Sequence, residues 1–280
     1  MAVLHGPLAI DFEQLWKEGM LDWHGNMPER MKNDALEEAF WAQSMQKKSY
    51  KQTDAHAIPI YEKIRQYIPQ GASCLEMGPG WGNYTFPLRE DVGKLTLVDG
   101  SKSVLNYLQQ YFMEDDAVNF VHAKWEEADV EQHDIVIGVN CYYRIYEMND
   151  ALLKMNNCAK KRAIIGLTTG PIQPHYDVLA KEYHYQIKYP RRDYIEILNM
   201  LYQLGIYADC EMLPLERVYY YDSYEALFEA QSKKILSNPF DLEHVKEALA
   251  RFVKVEEGKI VYRHKFYAAI ISWEPVNFYE

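Results

Sequence analysis

The sequence contains no Cys-x-x-Cys pair among its four cysteines, Cys74, Cys141, Cys158 and Cys210, so neither a zinc ribbon nor a dithiol redox centre is expected from spacing. No stretch is long and apolar enough to read as a membrane span, and the mixed polar opening Met1–Asp11 does not read as a signal peptide. These absences predict a soluble, cytoplasmic protein with reduced thiols and no membrane partner. Basic runs are scarce too: the densest are Lys47-Lys48, Lys160-Lys161-Arg162 and Arg191-Arg192, against a formal charge of −11 from 30 Lys+Arg and 41 Asp+Glu. An acidic surface repels phosphate backbones, so no nucleic-acid partner is expected. Low-complexity tracts and internal repeats are missing as well. What is present in excess is tyrosine, at 23 of 280 residues, 17 of them at or after Tyr142.

A chain of 280 residues can bury a full core, and its texture changes along its length. The first 70 residues have helical spacing in Asp34–Lys48 and Ile58–Tyr67 and no β-branched runs, which predicts a helical extension over 1–57. From residue 73, short apolar runs at Ser73–Met77, Lys94–Val98, Asn119–His122, Asp134–Val139 and Arg162–Leu167 alternate with helical stretches at Ser101–Met113 and Glu147–Lys160. That alternation predicts right-handed crossovers and a mostly parallel sheet. Arg191–Leu204 reads as a further helix ended by Gly205, Ala208–Leu213 as a sixth strand and Lys265–Ile271 as the last. Between those two strands, Asp222 with Glu225 predicts a capping box for a helix over Tyr224–Leu236, and Asp241 a cap for Leu242–Val253. The expected fold is α/β: a Rossmann-like, mostly parallel seven-stranded sheet with helices on both faces. It carries the N-terminal helical extension and, within a main domain over 58–280, an inserted helical cap built from segments near 168–190 and 216–258. Ligands in such sheets bind at the carboxyl edge, where this cap is expected.

The most informative residues are Glu76-Met77-Gly78-Pro79-Gly80-Trp81-Gly82, directly after the first apolar run. Alternating glycines let a backbone turn sharply and approach a ligand closely. The dinucleotide pattern G-x-G-x-x-G fails because Asn83 stands three after Gly80, and no Lys-Ser/Thr follows to make a phosphate loop. Glu76 puts a carboxylate where a pyrophosphate would be repelled, which suits a ligand carrying an ammonium or sulfonium charge.

With Asp99 ending Leu95-Thr96-Leu97-Val98-Asp99, 21 residues after Gly78, the region 58–170 resembles the class I S-adenosylmethionine-dependent methyltransferases. The resemblance implies S-adenosyl-L-methionine as cofactor and S-adenosyl-L-homocysteine as product. It maps Glu76, Gly78, Pro79 and Gly80 onto the family's first motif, and Asp99, with Gly100 and Ser101, onto the ribose-binding strand end. Lys124 and Trp125 fall beside the adenine, where Lys124 departs from the usual Asp or Asn, and Asn140 falls under the methionine moiety. Tyr50, with Trp41, could close over the cofactor from the extension. Plainer roles stand beside these: a tight structural turn, a helix cap for Asp99, core packing for Trp125 and Trp41, a strand-end backbone contact for Asn140.

Methyl transfer from a sulfonium needs alignment of the acceptor more than a base. Candidates to face the acceptor are Tyr142, Tyr143 and Arg144, with Arg144 set to hold a substrate carboxylate, and His175 and His184, either of which could serve as base near neutral pH. Each histidine by itself is as readily a surface residue. Asn140-Cys141-Tyr142-Tyr143 lacks the two prolines of adenine and glutamine methylating enzymes, Cys141 lacks the Pro-Cys context of cytosine-C5 enzymes, and no Asp/Asn cluster follows strand four to hold a metal. The reading is therefore a methyltransferase of small organic acceptors, without a metal, and with a homodimer as a candidate assembly. A non-catalytic S-adenosylmethionine sensor or partner-regulated subunit, a protein methyltransferase, and a nicotinamide or nucleotide-sugar enzyme on a similar sheet remain the alternatives.

Overall fold

The structure is a computed structural model that describes residues 6–47 and 53–277. Four helices come first: α1 (Phe12–Gly19), α2 (Glu29–Lys32), α3 (Asp34–Lys47) and α4 (Ala57–Arg65). Strands and helices then alternate as β1 (Ser73–Met77), α5 (Thr85–Asp91), β2 (Lys94–Asp99), α6 (Lys102–Phe112), β3 (Val118–His122), β4 (His133–Val139), α7 (Met148–Cys158) and β5 (Ala159–Thr169). The remainder is α8 (Pro174–Glu182), α9 (Tyr194–Gln203), β6 (Asp209–Tyr221), α10 (Tyr224–Gln231), α11 (Leu242–Ala250), β7 (Val253–Glu256) and β8 (Lys259–Trp273). Among the described residues no helix is long and apolar enough to cross a membrane.

The sheet has the order β3-β2-β1-β4-β5-β8-β6, with β7 paired to β8 off this path. The pairs β1–β2, β1–β4, β2–β3 and β4–β5 are parallel, with Met77 opposite both Val98 and Gly138. The run of strand numbers reverses at β1 and β4, which makes the crevice past their carboxyl ends the natural ligand position of an open parallel sheet. β1, β2 and β4 read as nearly unbroken apolar runs because both their faces are covered: Leu75, Leu95, Leu97, Ile135, Val136 and Ile137 have no exposure.

The chain forms two compact units: Met1–Leu167 with Arg192–Met212 and Ala269–Glu280, and Thr168–Arg191 with Leu213–Ala268. In the first, helix α1 packs into the core. Trp16 and Met20 of the α1 region are buried in the same apolar cluster as Leu75, Val98, Val136 and Met155, and the Trp16 indole donates to the Ile145 carbonyl at 2.9 Å. The second unit has its own core of Tyr176, Leu179, Leu227, Val245, Leu249 and Tyr262.

Several local expectations need correction. The helix expected over Leu242–Val253 stops at Ala250, and Val253–Glu256 instead pairs antiparallel with Lys259–Tyr262. Glu257 and Gly258 both take positive φ, 49° and 76°, as a two-residue hairpin turn requires. β6 and β8 run well beyond their apolar stretches, because residues such as Glu216–Tyr221 extend them with exposed and half-buried side chains that an apolar-run criterion misses. The cap of α10 is Ser223, whose side chain accepts from the Ala226 amide, while Asp222 pairs with Lys259. The capping box lies on α9, between Asp193 and Glu196. Asp241 does cap α11, accepting from the Glu243 amide at 2.9 Å.

Candidate active site

Everything that positions the site follows from where β1, β2 and β4 end. Gly78 leaves β1 with φ 61° and donates its amide to the Val98 carbonyl at 2.8 Å. A Cβ at this position would stand 2.4 Å from that of Cys141, so only glycine lets the turn pass against the segment after β4. Gly80 follows with φ 53°, beneath the indole of Trp41, whose nearest atom would lie 3.4 Å from an added Cβ. On either side of Gly82, Asn83 and Trp81 both donate to Asp54, at 2.8 and 3.1 Å, which ties the loop to the segment leading into α4.

Two carboxylates sit at this turn. Glu76 is buried within β1 and accepts a hydrogen bond from the Thr85 hydroxyl at 2.7 Å. Desolvation raises its pKa to about 8, with Asp99 adding to the effect. Asp99, half-buried at the end of β2, accepts from the Ser101 amide at 2.7 Å and from the Gly80 amide. Desolvation, outweighing those bonds and reinforced by Glu37 and Glu38, raises it to about 7. Ser101 in turn caps α6 by accepting from the Val104 amide.

Glu37 and Glu38, on α3, were not among the residues expected at the site, because an acidic pair on an amphipathic helix reads as a solvated face. Glu37 is in fact buried. It receives hydrogen bonds from the Trp41 indole at 2.8 Å and from the Tyr143 hydroxyl, and pairs with Arg30 at 2.9 Å. Glu38 accepts from the amide and hydroxyl of Ser103, at 2.9 and 2.6 Å, so α3 caps the first turn of α6 from outside. Asp34, at the head of α3, bonds both Lys124 and Arg144 at 2.7 Å. By these contacts α3 is strapped across the loop after β1 and the ends of β2, β3 and β4.

The remaining expected residues divide. Pro79 is buried in the loop, and Gly100 abuts Lys124, whose Cγ would lie 3.5 Å from an added Cβ. Asn140 ends β4 exposed, with φ 54°, donating its amide to the Gly166 carbonyl at 2.9 Å; asparagine tolerates that left-handed conformation better than most side chains. Tyr50 lies outside the described residues.

Others are placed against their expected roles. Lys124 pairs with Asp34. Trp125 is a core residue: its indole donates to the Ala151 carbonyl at 3.1 Å, and the Lys154 ammonium lies 4.9 Å over the ring. Tyr142 is buried, its hydroxyl returned to the Gly138 carbonyl at 2.8 Å, and burial lifts that phenol well above its ordinary pKa. Tyr143 spends its hydroxyl on Glu37, and Arg144 bonds Asp34 and, at 3.3 Å, the Met31 carbonyl through Nη2. The Arg144 Nε is buried without a partner. His175 belongs to the second unit's core. Its Nε2 faces the Gln231 carbonyl at 3.0 Å and its Nδ1 the Tyr262 hydroxyl at 2.8 Å. The carbonyl can only accept, so Nε2 carries the proton and Nδ1 accepts from Tyr262, which leaves no lone pair for a substrate. His184 is exposed on the second unit, with φ 57°.

Residues 75–166 match the family model of a methyltransferase domain. No curated protein matches the sequence. Among solved structures, a chain in the complex between the Haloferax volcanii Trm112 methyltransferase activator and its methyltransferase is 13% identical, with 89% of this chain and 100% of that one covered at a TM-score of 0.56. The YcgJ protein of Bacillus subtilis is 15% identical over 79% of this chain and all of its own, at 0.52. A methyltransferase of Bacillus halodurans is likewise 15% identical, over 78% and 98%, at 0.51. At these identities the structural likeness speaks for the fold alone. Joined to the strand order and the glycine turn after β1, the match over 75–166 identifies that segment as a methyltransferase domain of the S-adenosylmethionine-dependent kind.

Proposed function

We propose that the protein transfers the methyl group of S-adenosylmethionine to a small organic acceptor by in-line displacement, and that Glu76, Gly78, Gly80, Asp99 and Asn140 surround the cofactor. The observation that carries this reading is the pair of desolvated carboxylates, Glu76 and Asp99, on either side of a left-handed glycine turn. Their raised affinity for protons is the signature of negative charge lacking a counter-charge, and a cationic, diol-bearing ligand answers both needs: cation near Glu76, hydroxyls toward Asp99. The left-handed turns at Gly78 and Gly80 suit a ligand lying along the main chain of the loop.

The cofactor supplies a methyl carbon already activated by a sulfonium leaving group. What the chain supplies is placement. Asp99, held by the Ser101 and Gly80 amides, orients hydroxyls; α3, clasped through Glu37, Glu38 and Asp34, excludes water above the loop; Asn140 offers a polar side chain where β4 ends. Neither His175 nor Tyr142 is positioned to take a proton, which favours an acceptor nucleophilic in its own right or one that loses its proton to solvent after transfer.

Calorimetric titration with S-adenosylhomocysteine tests the cofactor assignment. Wild type is expected to bind saturably and Asp99→Ala to bind roughly 10- to 100-fold more weakly, the scale of losing hydrogen bonds to a charged acceptor. Equal binding by the variant, or none by wild type, refutes the assignment. Transfer of labelled methyl from S-adenosylmethionine into a metabolite extract tests the acceptor class: label in a protein band instead of a small molecule turns the reading to protein methylation.

A further inference from the structure

Cations cluster around the carboxyl end of β4, and three of them already have acidic partners. Arg30 faces Glu37, while Lys124 and Arg144 share Asp34. Arg192 differs. Its Nη1 donates to the main-chain carbonyl of Tyr143 at 2.9 Å, and its guanidinium lies 4.9 Å from the centre of the Trp16 ring. Among the described residues no carboxylate pairs with it. Desolvation is the sole influence on its pKa and lowers it, where Arg89, Arg251 and Arg263 are raised by their acidic partners. No nitrogen of Arg192 is among the buried polar atoms left without a partner, so its remaining N–H groups reach accessible space.

Placement sharpens the point. Tyr143 connects two contacts: its hydroxyl meets Glu37 and lies 3.3 Å from the Trp41 indole that covers Gly80, and its carbonyl holds Arg192. Arg192 thus stands one residue's width from the clasp over the cofactor turn, fixed in orientation by a carbonyl on one edge and an aromatic face. A guanidinium so fixed presents its other edge as a fork suited to two oxygens of an anion. Burying a cation without a counter-ion is costly unless a partner arrives, and here the missing partner is an anion.

We infer that Arg192 binds an anionic group of the methyl acceptor, so that the substrate class is small organic acids bearing a carboxylate or a phosphate ester. The inference rests on the methyl-transfer reading above. It also reassigns the role expected of Arg144 to a residue that the sequence hides in the pair Arg191-Arg192.

The test divides a metabolite extract by anion exchange at neutral pH into retained and unretained fractions, then incubates each with enzyme and S-adenosylmethionine labelled in its methyl group. Label is expected in small molecules of the retained fraction. Arg192→Gln should raise KM for that fraction roughly 10- to 100-fold, the loss expected when a charge-assisted fork is removed, and Arg192→Lys, which keeps the charge but not the fork, should fall between. Both should keep the wild-type affinity for S-adenosylhomocysteine, which distinguishes a lost acceptor contact from a damaged cofactor site or a misfolded chain. Phosphatase treatment of the retained fraction beforehand separates the two sources of negative charge: label that survives marks a carboxylate, label that disappears a phosphate ester. Label confined to the unretained fraction, to macromolecules or to nothing at all overturns the inference, as does wild-type KM in Arg192→Gln. Failure of the wild-type protein to bind S-adenosylhomocysteine overturns the underlying reading instead.

Discussion

Glu76 is a carboxyl group buried in β1, an inner strand of the sheet, with one hydroxyl donor for company. Its pKa of about 8, above the ordinary 4.5, means that the folded protein holds this proton more tightly than the unfolded chain does. Linkage then makes its contribution to stability complete below pH 4.5 and progressively lost as the pH rises toward 8. Glu76→Gln keeps the shape and an acceptor for Thr85 but removes the titration. Relative to wild type without ligand, the variant is expected to gain thermal stability between pH 5 and pH 8, read as the Tm difference by scanning fluorimetry at each pH. S-adenosylhomocysteine should then stabilise wild type at pH 8 more than the variant, because its ammonium offsets the buried charge. A Tm difference that stays constant from pH 5 to pH 8 contradicts the buried-carboxylate account.

At the scale of elements, α3 is held by polar contacts rather than by an apolar stripe. Among its described residues only Glu37 and Met45 are buried. Asp34 is well exposed, so its pairs with Lys124 and Arg144 add little individually. Glu37 is different, since its side chain is only 7% exposed and serves Trp41, Tyr143 and Arg30 together. Glu37→Ala strands an indole N–H and a phenol, at an expected cost of roughly 2–3 kcal/mol, less than for a fully buried pair because Arg30 keeps some water. Hydrogen exchange should show faster amides throughout residues 34–47 in that variant while β1 and β4 stay protected; unchanged protection in α3 would mean that other contacts hold it. The glycine turn was legible from sequence because φ-positive glycines have no substitute, and so was Asp99, whose spacing follows from one crossover helix. Glu37, Glu38 and Arg192 were not legible: their roles depend on which neighbours surround them, and nothing in a run of residues distinguishes a clasping carboxylate from a solvated one.

At the scale of the molecule, the tyrosine excess has an address. Ten of the 23 tyrosines and none of the six tryptophans fall in the second unit, Thr168–Arg191 with Leu213–Ala268. There Tyr262 binds His175, Tyr221 accepts from Gln231 at 2.7 Å, and Tyr185 bonds His244 at 2.9 Å, so the phenols build an internal hydrogen-bonded core. This distribution makes tryptophan fluorescence a probe of the first unit alone, while near-ultraviolet circular dichroism of tyrosine reports both, so a tyrosine change without a tryptophan change reads on the second unit. Burial lowers the His175 pKa to about 4, below its ordinary 6.5. Its contribution is therefore intact above pH 6.5 and lost as the pH falls toward 4. The tyrosine signal is expected to weaken over that window, and His175→Phe, less stable at every pH, should lose the part of the pH dependence that His175 causes. An identical acid profile in wild type and variant would assign the transition to other groups.

The alternation of strands and helices from residue 73, the mostly parallel sheet and the glycine turn after β1 are determined by the sequence alone, because they rest on local constraints: apolar runs of strand length, crossover spacing and glycines no other residue replaces. Which polar side chains are available for chemistry was decided by the tertiary structure. Tyr142, Trp125 and His175 carry the right groups for a site, yet each is committed to a partner that folding brings to it, while Arg192, unremarkable in sequence, stands near the end of β4 without an acidic partner among the described residues. A side chain's chemistry belongs to the residue, but its availability belongs to the neighbours that only folding supplies.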